Sequence, residues 1–134
     1  DGVTYEWSDE ANLETISMLL ALGSDPNVQD MEDGRTAMMG AAHKGRSDVI
    51  KMLVEAGGDL SITDIGSRDS LHRLLGARWQ AIDYADGLVR VGVQSSVAHP
   101  ATSAYIRELM VARGMEVPPE GRTLESICIV DICR

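Results

Sequence analysis

The amino-acid sequence predicts an all-α solenoid, a stack of helix–turn–helix units with inserted loops and a short β element near its C-terminal end. Three observations predict it. Apolar segments of helical period run into glycines able to stop a helix at Gly23, Gly57 and Gly114. Segments 15–25 and 49–59 superpose, and Gly23 and Gly57 lie 34 residues apart, close to the period of stacked two-helix repeats. Of the 134 residues 44% are hydrophobic, yet none is Phe and seven are Met, a balance that suits small aliphatic helices packed on one another.

The first unit, about 2–29, is degenerate. Gly2-Val3-Thr4 echoes Gly34-Arg35-Thr36, and a short first helix is expected around Tyr5 and Trp7. Its second helix is Thr15-Ile16-Ser17-Met18-Leu19-Leu20-Ala21-Leu22, stopped by Gly23. Asp30-Met31-Glu32-Asp33 holds the one residue by which the next unit exceeds the usual period.

The second unit, about 30–62, is the most regular. Gly34 suits a tight turn in which a positive φ costs it nothing. Thr36 suits the cap of a first helix, its hydroxyl accepting orphan N–H groups. Ala41 and Ala42 are small where neighbouring first helices press together, and Gly45 ends that helix. A second helix is expected over about 47–56, capped by Ser47 or Asp48, with Val49, Met52, Leu53 and Ala56 on one apolar face. Met18, Met52 and Met110 are expected at core positions. The run Asp33-Gly34-Arg35-Thr36-Ala37-Met38-Met39-Gly40-Ala41-Ala42-His43-Lys44-Gly45, followed by Val49-Ile50-Lys51-Met52-Leu53-Val54-Glu55-Ala56-Gly57-Gly58-Asp59, resembles one nearly complete ankyrin repeat. The departure is Ala37, where the family prefers Pro.

The third unit, about 63–117, is swollen. Its second helix is Ile106-Arg107-Glu108-Leu109-Met110-Val111-Ala112 before Gly114, begun at His99-Pro100 with Pro in a first turn. Its first helix is expected over 79–85, similar to the family's Trp-Thr-Pro-Leu-Asp-Tyr-Ala form. The excess falls in 66–77, where Leu71, Leu74 and Leu75 suggest a short helix, and in 88–98, where Val89, Val91 and Val93 alternate as in a strand. After Val117-Pro118-Pro119 the tail, 118–134, is expected to cap the stack, with 124–132 as a buried strand pairing with 89–93. Terminal units need a cap because their outer face has no neighbour.

The 12 Lys and Arg are scattered among 21 Asp and Glu, for a net charge of −9. A phosphate-binding protein needs a basic footprint, so nucleic acid is not an expected partner. No run of 18 apolar residues is present, so no membrane span is expected. The first residue is Asp, which reads as a processed product or part of a longer protein; cytoplasm and export after signal removal both stay open. Cys128 and Cys133 would stand about 16 Å apart on a strand, beyond disulfide reach, and two buried thiols are expected.

No Cys-x-x-Cys, His-Glu-x-x-His, phosphate loop or Gly-x-Ser-x-Gly occurs. His43, His72 and His99 lack ligand-like spacing. No enzyme, metal or cofactor is therefore expected. Asp83, Tyr84, Asp86 and Arg90 form a denser polar group beside Trp79, extended by Ser67, Arg68 and Asp69. They either line a pocket for a small molecule or redox group under the inserted loops, or fix those loops by salt bridges.

The resemblance to ankyrin repeats covers roughly 2–115. It implies a protein-interaction scaffold whose finger loops and first-helix ends line a concave groove. Carried onto this sequence, it assigns Glu32, Asp33, Arg35, His43 and Lys44 to a protein partner of unnamed identity. A second expectation is a C-terminal structural domain that caps a longer repeat array or packs on an attached upstream domain.

Overall fold

A computed structural model describes residues 9–65, 78–88 and 97–123. Within them the chain forms five α-helices and no strand: α1 (Asp9–Ala21), α2 (Ala37–His43), α3 (Ser47–Glu55), α4 (Ala81–Asp86) and α5 (Pro100–Ala112). The short helices α2 and α4 pack side by side as an inner layer, while α1, α3 and α5 follow one another in an outer layer. Met38, Met39, Ile50, Leu53, Ile82 and Tyr84, with Leu88, Ile106 and Met110, fill the space between the layers.

Local chemistry explains each helix end. Thr36 caps α2, its Oγ1 accepting the Met39 N–H at 3.3 Å. Gly45 ends the turn after α2 at φ +68°, and a Cβ there would stand 2.5 Å from His99 Nδ1. Glycine is therefore required twice, by backbone conformation and by close approach. Pro100 sits in the first turn of α5, where its missing N–H costs nothing.

Several expectations are corrected. The N-cap of α3 is Arg46, without a side-chain cap bond. Ser47 already lies inside the helix, and its hydroxyl is 2.9 Å from that of Thr102, joining α3 to α5. Asp48 instead receives the Arg46 guanidinium at 3.0 Å. Ala56 follows the helix and is exposed, whereas Ile50 and Val54 are buried, because α3 lies between two outer neighbours. Met18 is 58% exposed and Met52 half-buried; only Met110 of the three is fully buried. The first helix of the third unit starts at Ala81 rather than Trp79, because the Asp83 carboxylate accepts the Gln80 N–H at 2.8 Å and sets the start there. The expected helices near Tyr5 and Leu71, the strands over 89–93 and 124–132, and both cysteines lie outside the described residues.

Candidate functional site

Two finger-like turn segments lead into the inner helices, and each closes on an aspartate. In the first, Asp30 Oδ1 accepts the N–H groups of Glu32, Asp33 and Gly34 at 2.9, 2.7 and 3.2 Å, and Oδ2 accepts that of Arg35 at 3.2 Å. The Asp33 amide, foremost among these donors, holds the Asp30 carboxyl below its ordinary value. The backbone closes the same gap, with Asp30 N–H donating to the Arg35 carbonyl at 2.9 Å. Asp64 repeats this arrangement in the second finger, donating its N–H to the Trp79 carbonyl at 2.9 Å and accepting the Trp79 N–H at 3.0 Å.

The fingers are tied to each other. Ile65 N–H donates to the Asp33 carbonyl at 2.9 Å. Gln29 Nε2 donates to the Gly34 and Thr63 carbonyls at 2.8 and 3.0 Å. Asn27 clamps the turn after α3, donating to the Gly57 carbonyl at 3.0 Å and accepting the Asp59 N–H at 2.7 Å. Positions Asp25 and Asp59 make equivalent short turns, accepting the Asn27 and Ser61 N–H groups at 2.9 and 2.8 Å.

Of the five groove residues expected from the resemblance, Arg35 and His43 meet around one ring. The Arg35 guanidinium lies 5.5 Å from the Tyr84 ring centroid, and the His43 imidazole stacks on that ring at 6.2 Å. Tyr84 is fully buried, and its hydroxyl donates to Asp64 Oδ2 at 2.5 Å. A carboxylate at the base of the second finger thereby fixes the ring under the arginine of the first. Arg35 Nε stands 3.9 Å from Asp33 Oδ2. Arg35 Nε and Nη2 are shielded from water and have no hydrogen-bond partner among the described residues. Glu32 is exposed beside Asp33 on the finger tip. Lys44 is exposed apart from this group, beside a cavity of about 620 Å³ between α1, α2 and α3.

Of the second polar group, Ser67, Arg68, Asp69 and Arg90 lie outside the described residues. Trp79, Asp83 and Asp86 come together with two arginines from later in the chain. Arg122 engages both Asp83 oxygens and lies 5.8 Å over the Trp79 ring. Arg107 grips Asp86 through two bonds of 2.7 and 2.6 Å. Burial raises the Asp83 carboxyl despite its arginine, while Asp86 raises the Arg107 guanidinium. A cavity of about 530 Å³ opens beside Asp86 and Arg107, walled by Leu88, Ser103 and Thr123. Each carboxylate here already has a cation, an arrangement that ties both α5, through Arg107, and the segment after it, through Arg122, to α4.

Tyr84, Asp64 and Asp30 fix the surroundings of Arg35 and His43, but the sequence pattern did not place them beside those two residues. One signal was available: Asp64 stands 34 residues after Asp30, the same spacing as Gly57 after Gly23.

A family model described as ankyrin repeats in many copies matches residues 8–54. The E3 ubiquitin-protein ligase KEG of Arabidopsis thaliana is 34% identical over 62 residues, 46% of this chain and 4% of that protein. The Neurogenic locus Notch protein of Drosophila melanogaster is 33% identical over 76 residues, 57% of this chain and 3% of that protein. The chain thus spans a small fraction of the length of these relatives. No solved structure matches it. The family match runs through α1, α2 and most of α3, so over residues 8–54 the chain is similar to ankyrin repeats, units that mark a protein–protein interaction module.

Proposed function

We propose that the chain is a non-catalytic adaptor that holds a protein partner on its concave face, between the linked fingers and the inner helices. The observation that carries this reading is the joint placement of Arg35 and His43 on the buried Tyr84 ring. Both belong to the first finger and α2, yet their position is set by α4 and the second finger. The polar face is therefore organised before any partner arrives, and little conformational entropy remains to be lost on binding. Glu32, Asp33 and Arg35 select the partner from the finger side, and His43 and Lys44 from the end of α2. The arginine fork and the lysine favour carboxylate or carbonyl acceptors on the partner.

Affinity capture with the intact chain tests this. Arg35→Glu combined with Lys44→Glu is expected to release the retained protein, while Lys51→Glu combined with Glu55→Lys, two exposed positions on α3, keeps it. Lys44→Glu alone, at an exposed site, guards against a folding artefact at Arg35 and is expected to weaken retention at unchanged Tm. Retention by the groove variants equal to that of the intact chain would remove the groove from the account.

A further inference from the structure

The register that pairs Asp30 with Asp64 also pairs the residue after each. Met31 follows Asp30 and Ile65 follows Asp64, again 34 residues apart. Both are large apolar side chains in contact with water: Met31 is fully exposed and Ile65 is 42% exposed. One exposed apolar side chain on a surface is ordinary. Two at the same place on neighbouring fingers form a ridge, and the surrounding turns hold that ridge in shape.

The hold comes from both fingers. Met31 sits in a turn whose next four N–H groups, those of Glu32 to Arg35, are all bound by the Asp30 carboxylate. Ile65 is drawn against the same turn. Its N–H donates to the Asp33 carbonyl at 2.9 Å, and its Cγ2 lies over Gly34, where a Cβ would stand only 3.2 Å away. Gly34 has φ +69°, so glycine there both makes the turn and lets Ile65 approach. The tips are thus one surface rather than two independent loops. Covering it removes apolar area from water at small further cost in chain entropy.

The charges around the ridge specify what covers it. Segments 24–34 and 58–65 contain six Asp or Glu and no Lys or Arg. Glu32 and Asp33 directly follow Met31, and the first basic side chain after them, Arg35, is already turned onto Tyr84. We propose that Met31 and Ile65 form a docking ridge for an aliphatic or aromatic side chain of a protein partner, flanked in that partner by Lys or Arg. The apolar side chain lies across Met31 and Ile65, and its basic neighbours face Glu32 and Asp33. Methionine gives the ridge an adaptable contact, and Ile65 gives it a fixed one. The proposal rests on the reading of the concave face as a protein-binding surface, and narrows the partner to a basic, apolar segment at the fingertips.

Selection of a phage-displayed library of random nonapeptides on the 134-residue chain tests it, with the Kd of each selected peptide read by fluorescence anisotropy. Enriched peptides are expected to carry Leu, Met, Phe or Trp next to Lys or Arg. Met31→Lys is expected to raise their Kd about tenfold or more, and Met31→Leu to keep it within about threefold. Neither is expected to move Tm by more than about 3 °C, because position 31 is exposed. Peptides weakened by Arg35→Glu with Lys44→Glu, but not by Met31→Lys, would overturn the ridge and leave the groove standing. Basic, apolar peptides lost with Met31→Lys but indifferent to the Arg35 and Lys44 changes would uphold the ridge and remove the groove. Selected sequences without a basic, apolar pair, or no selection at all, would overturn the proposal. A Met31 methyl resonance that shifts as the chain alone is concentrated would assign the ridge to a second copy and overturn it too.

Discussion

The two fingers close on the same acidic position and differ in length and in the burial of that carboxylate. Asp30 and Arg35 are 5 residues apart, Asp64 and Trp79 are 15 apart, and yet both pairs make the same exchange of backbone and carboxylate bonds. The additional residues of the second finger leave its base undisturbed, because the base is closed before and after them. The carboxylates themselves face different media. Asp30 is exposed and depends on four backbone amides. Asp64 is fully buried and adds the Tyr84 hydroxyl to the Trp79 amide. A turn in water is held by local donors, whereas the buried turn is also a structural joint between a finger and an inner helix.

The sharpest way to break this comparison is to truncate both aspartates. Asp64→Ala strands the Trp79 amide and the Tyr84 hydroxyl in the interior, and is expected to cost about 2–5 kcal/mol in urea unfolding. Asp30→Ala exposes its amides to water and is expected to cost well under that. Similar losses for the two would show that burial is not what separates the fingers. Two of the outer helices, α1 and α3, allow a second contrast of slightly smaller size. Leu53→Ala removes a buried side chain and is expected to cost about 2–4 kcal/mol, while Leu19→Ala, at the equivalent position of α1, is expected to cost less than about 1 kcal/mol in the 134-residue chain. Because stacked repeats depend on their neighbours, the Leu53→Ala loss should appear as one transition rather than as partial melting.

Much of this was legible in the residues. The Thr36 cap, the stops at Gly23, Gly57 and Gly114, and the Pro100 start are local chemistry, read from a residue and its immediate neighbours. The start of α3 was misread because the Ser47 hydroxyl is used by Thr102, 55 residues away. The Arg122–Asp83 and Arg107–Asp86 pairs were hidden for the same reason: they span 39 and 21 residues with no periodicity to announce them. The resemblance proposes Arg35 for a groove, but its position over Tyr84 depends on an interface between two units, which no single repeat motif describes.

The smallest expected effect is in pH dependence. Asp30, Asp48 and Asp59 are held below the ordinary carboxylate value of 3.8, by the Asp33 amide, the Arg46 guanidinium and Ser61 respectively. A depressed carboxyl stabilises the fold above its unfolded value and loses that contribution as pH falls through its folded value. Tm is therefore expected to drop as pH is lowered below about 3.8, and to drop less steeply in Asp30→Ala. Asp83 runs the other way. Burial raises it, so its ionisation opposes folding as pH climbs from 3.8 through its folded value. A wild-type acid limb identical to that of Asp30→Ala would show that the first finger is not held by its carboxylate.

The central claim is that recognition takes place on the concave face organised by Tyr84. Hydrogen exchange of the chain alone and in complex with a protein identified by capture tests it most directly. The account predicts new protection at the amides of Glu32, Asp33, His43 and Lys44, with the outward face of α3 unchanged. Protection confined to α3 and α5, with the fingers and the end of α2 exchanging as in the free chain, would contradict it.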